Sequence, residues 1–300
     1  MPTKATVLAA AGVVTAAPVI FYLLRFRFAP IHFSYSVPKA FLESRAMAIT
    51  NPRHHMTATD SFTLRLSPSQ LRHVGARTDE ELLARMTKGF FGGWIFLPEG
   101  SLFRWLLSGR PEDRLVGFSA LEPNIVPQGH SYQARNTFLG MSNRYPSGIG
   151  PNRVWFPKDI PAKSLLPYKS ILYGGFQVID QHCPSIPPHV SDDEPLAEQI
   201  GSYVDIAFSS DEASFAGCHR LEVLRPRRPT LDGAKELRVT ETEGDIHADS
   251  EEALGVVLRL SHFRQNPIKN QPSPVEGLKW LHFVYARLLF EDSVRHVLGR

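Results

Sequence analysis

The feature that most constrains the fold is the C-terminal segment, residues 273–298, where apolar residues recur with helical spacing. The apolar stripe comprises Leu278, Leu281, Val284, Tyr285, Leu288, Leu289, Val294 and Leu298. Ser273, Pro274 and Glu276 form a capping-box pattern with proline at the first helical position, and Gly299 suits the end of a helix. A helix of about 25 residues is roughly 37 Å long and needs a wide apolar surface to lie on. The sequence therefore predicts a long C-terminal helix packed on a sheet.

The region before this helix contains mostly strand patterns. They cover residues 116–121, 132–139, 154–156, 170–179, 203–208, 218–224, 237–242 and 254–263. Proline-rich or acidic turns separate them, without regular helices between, which favours an antiparallel sheet over βαβ units. Earlier, residues 62–66 alternate like a strand, a capping box at Thr78 opens a helix to about Phe91, and a short helix is predicted over 101–107. The predicted fold class is α+β, a curved antiparallel sheet gripping the long C-terminal helix.

The N-terminal segment, residues 5–24, contains no charged side chain. An apolar run of about 20 residues matches the thickness of a bilayer core. Lys4 precedes this run, and Arg25 and Arg27 follow it. A cleaved signal peptide is the alternative, with the alanines at 16 and 17 as the cleavage region, but the apolar run continues well past them. We therefore predict an uncleaved transmembrane helix.

This segment divides the chain into three predicted parts. Residues 1–27 form the membrane anchor, residues 28–60 a juxtamembrane linker with aromatic side chains suited to the interface, and residues 61–300 a single α+β domain. Alternatively, the linker packs on the main domain as a strand or short helix. The sequence has no N-x-S/T sequon and only two cysteines, Cys183 and Cys218, which favours a cytosolic globular domain on the endoplasmic reticulum membrane.

Composition and motifs exclude several function classes. Lys and Arg number 33 against 30 Asp and Glu, so the net charge of +3 gives no nucleic-acid footprint. The sequence has no GxGxxG, P-loop or GxSxG motif, which disfavours nucleotide, phosphoryl-transfer and serine-hydrolase chemistry. None of the 12 histidines forms an HxH or HExxH pattern, so we predict no metal site and no cofactor.

Three segments, 75–94, 203–223 and 262–298, resemble in that order a conserved domain family of unknown function found in plants and bacteria. In that family an early helix ends near a tryptophan, and a later strand carries an x-R-[FL]-x-V pattern, here HRLEV at 219–223. Its final helix ends in D-S-[LV]-R, here DSVR at 292–295. The resemblance covers these segments only.

The chain departs from that family at two places, since its turn at 209–212 is SSDE rather than glycine-rich and residues 109–159 look like an addition. The family is itself similar to the helix-grip lipid-binding proteins, the START and polyketide-cyclase-like group. That similarity implies a cavity between the helix and the sheet, suited to a hydrophobic ligand. It implies no particular reaction, because the group includes carriers, sensors and cyclases. An anchored, β-rich domain also resembles accessory proteins of fungal biosynthetic gene clusters.

The richest group of candidate catalytic residues follows a predicted strand. Asp180 and His182 lie two residues apart and would point to one face, together with Phe176 and Val178. The aspartate could then orient the imidazole for general-base catalysis. A solvated polar pair at the strand end is the alternative. Cys183 could act as a nucleophile beside the histidine, although a small buried cysteine is the commoner role.

A second candidate is Asp205, which lies in an apolar strand where burial would raise its pKa. Facing a cavity, it could act as an acid or a base. By strict alternation it shares a face with Tyr203 and Ala207 and could equally face water. His219 and Arg220 are neighbours on a strand, so at most one of them faces inward.

The sequence thus predicts a membrane-anchored, cofactor-independent enzyme of the cyclase, isomerase or dehydratase type, acting on a hydrophobic small molecule in secondary metabolism. The predicted catalytic residues are Asp205 as acid or base, His182 oriented by Asp180 as the second such group, and Tyr173 as hydrogen-bond donor. One alternative is a non-catalytic lipid or terpenoid carrier with the same cavity. Another is a hot-dog thioesterase, in which the helix at 78–91 is central.

Overall fold

A computed structural model describes most of the globular part of the chain. It describes residues 31–75, 78–107, 113–122, 145–146, 152–184, 189–190, 201–226 and 255–300. The predicted anchor and the predicted strands at 132–139 and 237–242 lie outside these ranges. Among the described residues, the structure has no helix with the length and apolar character needed to span a bilayer.

The described elements are eleven strands, six α-helices and two 3₁₀ turns. The strands are β1 (His32–Ser34), β2 (Thr57–Leu66), β3 (Asp113–Arg114), β4 (Tyr145–Pro146), β5 (Arg153–Val154), β6 (Ile171–Leu172), β7 (Phe176–His182), β8 (His189–Val190), β9 (Ser202–Ser209), β10 (Ala216–Pro226) and β11 (Val256–Gln265). The helices are α1 (Lys39–Leu42), α2 (Arg45–Thr50), α3 (Pro68–Val74), α4 (Asp79–Gly92), α5 (Leu97–Leu106) and α6 (Lys279–Val297). The 3₁₀ turns are Pro157–Asp159 and Pro274–Leu278.

One large curved sheet organises the fold, with strand order β1-β2-β11-β10-β9-β7-β6-β5 and with β8 beside β10. The α+β class is therefore confirmed. The prediction of a wholly antiparallel sheet is wrong, because β5 pairs parallel to β6 and β8 parallel to β10. Parallel neighbours need a long crossover, and residues 155–170 provide it between β5 and β6.

The sheet has two buried faces, which we call the front and the back. The front face carries Val204, Leu221 and Leu260 and is covered by α4, α5 and α6. The back face carries Cys218 and Phe263 and is covered by α1, α2 and residues 113–122. Because side chains alternate along each strand, both faces are filled from the same central strands.

Residues 31–60 belong to this folded unit. Strand β1 pairs antiparallel with β2, and the side chains of Phe41, Met47 and Ile49 are buried against the back face. These residues were predicted to be a juxtamembrane linker. The structure shows the alternative arrangement, a strand and short helices packed on the main domain.

The C-terminal helix is shorter than predicted. It begins at Lys279, after the 3₁₀ turn, and its 19 residues span roughly 28 Å. The predicted capping box does not form, because the Ser273 hydroxyl makes no capping hydrogen bond and Glu276 binds the guanidinium of Arg264 instead. Gly299 has a φ of +67° just past the helix end, as predicted for a helix stop.

Helix α4 matches its prediction closely. The Thr78 hydroxyl accepts a hydrogen bond from the backbone N–H of Glu81 at 3.2 Å, which caps the helix at the predicted residue. The predicted apolar side chains Leu82, Leu83 and Met86 are buried on the front face. Local capping and periodicity agree here with the tertiary packing.

Helices α4 and α6 cross with their backbones in contact. A Cβ atom added to Gly89 would lie 2.5 Å from the backbone oxygen of Asp292, and one added to Gly93 would lie 2.5 Å from Oδ2 of the same residue. The Asp292 carboxylate also accepts the backbone N–H of Ile95 at 2.9 Å. Glycine at these two positions therefore sets the distance between the helices.

Candidate functional site

A cavity of about 220 Å³ lies between the front face and helices α4, α5 and α6. Its apolar wall consists mainly of phenylalanine rings from the sheet, from α4 and α5, and from the segments beside them. They are Phe90, Phe96, Phe103, Phe176, Phe208 and Phe215. Two groups of ionisable side chains interrupt this wall, one on the sheet and one between α5 and α6. The cavity is therefore apolar with a few convergent polar groups, the usual character of a small-molecule site.

The first polar group arises from strand register. Asp60 on β2 lies directly opposite His262 on β11, which lies opposite His219 on β10, which in turn lies opposite Ile206 on β9. Directly opposed residues place their side chains side by side on one face. Helix α6 adds His282 from above. We call Asp60, His219, His262 and His282 the histidine cluster.

The three imidazoles of the histidine cluster are stacked. The ring centroids of His219 and His262 are 4.8 Å apart, and those of His262 and His282 are 4.6 Å apart. Nε2 of His282 lies 3.2 Å from Nδ1 of His262 and 3.3 Å from Oδ2 of Asp60. Nδ1 of His262 lies 3.4 Å from the same Asp60 oxygen. These three atoms form a nearly equilateral triangle.

Arg264 holds the carboxylate end of the histidine cluster. Its Nη1 donates to Oδ2 of Asp60 at 2.6 Å, and its guanidinium also binds Glu276. Within the described part of the chain, Nε2 of His262 and Nδ1 of His219 have no hydrogen-bond partner. Buried polar atoms are rarely left in this state, so both lack the partner that burial normally requires.

Burial determines the protonation of two of these histidines. It lowers the pKa of His262 to about 4, against the opposing effect of Asp60. It also places the pKa of His219 well below the ordinary value, with the neighbouring histidines acting in the same direction. Both imidazoles are therefore neutral at pH 7 and each presents a nitrogen lone pair.

The second polar group is a hydrogen-bonded pair between two helices. The Tyr285 hydroxyl on α6 donates to Oε2 of Glu99 on α5 at 2.5 Å. Burial raises the pKa of Glu99 even though the hydrogen bond from Tyr285 lowers it. Burial and the Glu99 charge raise the pKa of Tyr285 well above its ordinary value. Glu99 therefore has the properties of a proton-transfer group in an apolar site.

The two polar groups share one cavity. His282 and Tyr285 lie one turn apart on α6, and both line the cavity with Glu99, His219 and His262. A bound molecule can therefore meet a carboxyl group of raised pKa and two neutral imidazoles together, which is sufficient for moving a proton. Among the described residues, Asp60, His262 and His282 also form a group able to hold a metal ion.

Asp205, the first predicted catalytic residue, lies on the back face, away from the cavity. Its carboxylate accepts two hydrogen bonds from Arg220, at 2.7 Å from Nε and 2.6 Å from Nη2. Burial raises its pKa to about 6 against the opposing effect of Arg220, as the sequence predicted. The guanidinium is stacked between the rings of Tyr203 and Phe41, at 3.7 and 4.5 Å from their centroids. This arrangement is a buried ion pair.

The predicted Asp180–His182 pair shares one face, but that face is the back. A β-bulge between Val178 and Asp180 shifts the register, so that Val178 lies opposite Ile206 on the front and Asp180 opposite Asp205. Phe176 and Val178 were predicted to lie on the same face as Asp180 and His182. That prediction is wrong, because the bulge inserts one residue and leaves Phe176 and Val178 on the front face. Asp180 accepts hydrogen bonds from the Tyr203 hydroxyl and from the backbone of Gln181, while His182 is exposed.

Tyr173, the predicted hydrogen-bond donor, lies in a turn rather than on a strand. Its φ of +52° and that of +70° at Gly174 make a tight connection between β6 and β7, closed by the Gly175 N–H and the Leu172 carbonyl at 3.1 Å. Its hydroxyl donates to the Phe91 carbonyl at 2.8 Å, and burial raises its pKa to about 12. The Tyr173 side chain thus lies behind the phenylalanine side chains that line the cavity and packs against them.

The structure does not bring the four predicted residues together around the cavity. Glu99, His282 and Tyr285 line the cavity, and Asp60 contacts two of the histidines that line it. The sequence did not identify these four as candidate site residues. Sequence analysis named His219 only as a neighbour of Arg220 on a strand and did not connect it with His262. The available signal was that Asp60, His262 and His219 occupy directly opposed positions on three neighbouring strands. Recognising this signal requires knowledge of the strand pairing.

Comparisons with known proteins give no relative for this chain. A scan against models of protein families, a search of curated proteins and a search of solved structures each find no match.

Proposed function

We propose that this chain is an enzyme that binds a small hydrophobic molecule in the front-face cavity and moves a proton on it. The observation that carries the proposal is the Glu99–Tyr285 pair, a carboxyl group of raised pKa held at 2.5 Å by a hydroxyl within a wall of phenylalanine rings. Burying an ionisable group is unfavourable unless it is used or fully paired. A carrier of apolar molecules gains nothing from it.

The volume of the cavity restricts the ligand. An apolar cavity of about 150 Å³ holds a benzene molecule, whereas drug-sized ligands need roughly 300 Å³ or more. At about 220 Å³, this cavity suits one or two fused rings or a short branched chain. A long-chain lipid exceeds it. The aromatic wall favours a flat or unsaturated ligand.

Proton transfer at this site needs no other reagent. Glu99 would take a proton from an acidified C–H bond, and Tyr285 would orient the carboxylate through its hydrogen bond. A neutral imidazole of His219 or His262 would donate its N–H to the developing charge, and Glu99 would return the proton. Isomerisation, cyclisation and dehydration all proceed by such steps. A membrane anchor at residues 1–27 would place the cavity where apolar metabolites partition, and the place in secondary metabolism that we expect rests on that argument.

A carrier using the same cavity is the second candidate, and the six phenylalanines that line it are the observation in its favour. For the hot-dog thioesterase, the relevant observation is that α4 packs on β9 and β10. Helix α6 packs against α4 and, through Phe290, against Phe62 of β2, so α4 is not alone on the front face.

The Kemp elimination of 5-nitrobenzisoxazole tests the proposal without knowledge of the natural substrate. This small bicyclic compound opens when a base removes one C–H proton, and its phenolate product is coloured. We expect the full-length protein in detergent to catalyse it, with a rate that increases with pH. A base is active when deprotonated, and the pKa of Glu99 is raised, so the midpoint should lie above that of an ordinary glutamate.

Glu99→Gln should lower kcat about 100-fold or more, with KM changed less than about twofold. The matched control is Glu43→Gln, at an exposed side chain directly after α1, beside the back face. Equal rates in the two variants, with the compound still bound, would favour the carrier. His262 and His282 line the same cavity, so the pH dependence of kcat should also be measured for their alanine variants.

A further inference from the structure

We infer that the histidine cluster contains a binding site for a divalent transition-metal ion, held by Asp60, His262 and His282. The ion would be bound by Oδ2 of Asp60, Nδ1 of His262 and Nε2 of His282. These residues come from β2, β11 and α6, so no local sequence motif predicts them. Ion binding stands independently of the proposed proton transfer, and only its use in catalysis rests on that function.

The distances among the three atoms match tetrahedral coordination. Zinc binds imidazole nitrogen and carboxylate oxygen at about 2.0–2.2 Å, which places neighbouring ligand atoms of a tetrahedron about 3.3–3.5 Å apart. The three separations observed are 3.2, 3.3 and 3.4 Å. All three sides of the triangle thus have nearly the length that one central ion requires.

Hydrogen bonding accounts less well for the same triangle. A hydrogen bond between nitrogen and oxygen has an optimum near 2.9–3.0 Å, and one proton serves only one pair of atoms. In addition, Oδ2 of Asp60 accepts a hydrogen bond from Nη1 of Arg264 at 2.6 Å, and the same Nη1 lies 3.3 Å from Nδ1 of His262. Three mutual contacts of 3.2–3.4 Å are therefore longer and more symmetric than a chain of hydrogen bonds would make them.

The surrounding charges allow a cation. Arg264 is shared by two carboxylates, those of Asp60 and Glu276, so these three groups together carry a net negative charge. Its hydrogen bond to Asp60 also orients the carboxylate, the role that outer-shell groups play around metal ligands. A divalent ion bound by the two imidazoles and this carboxylate would therefore meet a net negative charge.

The position of the triangle gives the ion access to a ligand. His262 and His282 both line the cavity, so a fourth coordination position would face the bound molecule. Two histidines, one carboxylate and one open position make a ligand set found in catalytic zinc sites. Zn²⁺ is therefore the ion that we expect, and a carbonyl or hydroxyl oxygen on the ligand would be its natural fourth partner.

The test is a titration of chelator-treated full-length protein in detergent with Zn²⁺ by calorimetry, and with Co²⁺ followed by its visible absorption. We expect one ion per chain and the intense bands of tetrahedral Co²⁺. His282→Ala should weaken Zn²⁺ binding at least about 100-fold, since loss of an outer-shell group already weakens binding 10- to 100-fold. The matched control is His73→Ala, at an exposed side chain on α3, which should bind as the parent does.

Two results would overturn the inference. One is the absence of tetrahedral Co²⁺ absorption at saturating Co²⁺. The other is equal Zn²⁺ affinity in the His282→Ala and His73→Ala variants, with thermal melting showing both folded before metal is added. Neither result bears on the proposed proton transfer, because Kemp elimination by Glu99 requires no ion. Conversely, loss of the Kemp reaction in Glu99→Gln with normal Co²⁺ spectra would show that Glu99 acts in proton transfer and takes no part in metal binding.

Discussion

The two faces of the sheet bury charged side chains in different ways. On the back face, Asp205 receives two hydrogen bonds from Arg220, and Glu222 is bound by Arg259 at 2.6 Å and accepts the Gly201 N–H at 2.8 Å. On the front face, His262 and His282 contact the Asp60 carboxylate, and ring nitrogens of His219 and His262 have no hydrogen-bond partner among the described residues. Both sets lie on the same central strands, on opposite sides.

This difference separates structure from function. Charged groups that are paired and lie away from the cavity, such as Asp205 and Arg220, are expected to affect stability. Polar groups that line the cavity with ring nitrogens unpaired among the described residues, such as His219 and His262, reduce stability and lie where a ligand would bind. Burial and an unusual pKa occur on both faces, so only the pairing and the cavity distinguish them.

The largest effect is expected on the back face. Asp205→Ala leaves the guanidinium of Arg220 buried without its partner, and the free energy of unfolding should decrease by about 3–5 kcal/mol. Urea denaturation of the two proteins measures this change. The double variant Asp205→Leu with Arg220→Met should recover most of the loss, because an apolar pair of similar volume replaces a buried ion pair well. A loss below about 1 kcal/mol in the single variant would show that the pair is unimportant.

A smaller effect of opposite sign is expected on the front face. His219→Phe removes a buried ring nitrogen that has no hydrogen-bond partner and adds a ring beside Phe90 and Phe208. The protein should become more stable by about 1 kcal/mol, since an unsatisfied buried polar atom reduces stability by that order. Thermal melting at one pH compares the variant with the parent. Destabilisation instead would mean that the imidazole is paired in solution.

The smallest effect is expected at the edge of the back face. Tyr203→Phe removes the 3.3 Å hydrogen bond to Asp180 and keeps the ring that stacks on Arg220 at 3.7 Å. Stability should decrease by less than about 1 kcal/mol, because a single net hydrogen bond near solvent contributes little. The same denaturation series resolves it. A loss as large as that of Asp205→Ala would show that Asp180 belongs to the buried network.

The sequence predicted the parts of the fold that depend on local patterns. The capping threonine and apolar stripe of α4, the strands β9, β10 and β11, and the C-terminal helix are all present. The sequence overestimated the length of the C-terminal helix, because the capping box at its start was predicted from residue types alone. The Glu276 side chain forms an ion pair with Arg264, 12 residues away, that no helical pattern reveals.

The candidate site could not be predicted, because it is formed by contacts between distant parts of the chain. Asp60 and His262 lie 202 residues apart in the sequence and meet only through strand pairing. The predicted residues lie away from the cavity for a related reason. The bulge after Val178 and the turn at Tyr173 change which side chains share a face, and neither can be read from residue alternation.

The crossing of α4 and α6 at Gly89 and Gly93 has a consequence for selectivity. Because the backbones already touch at Asp292, this wall cannot move closer, and the hydrogen bond to Ile95 keeps it from moving away. A rigid chamber discriminates by shape, so one methylene group too many should be rejected by steric exclusion rather than accommodated by adjustment. We therefore expect a narrow range of ligand sizes, with affinity declining abruptly at its upper limit.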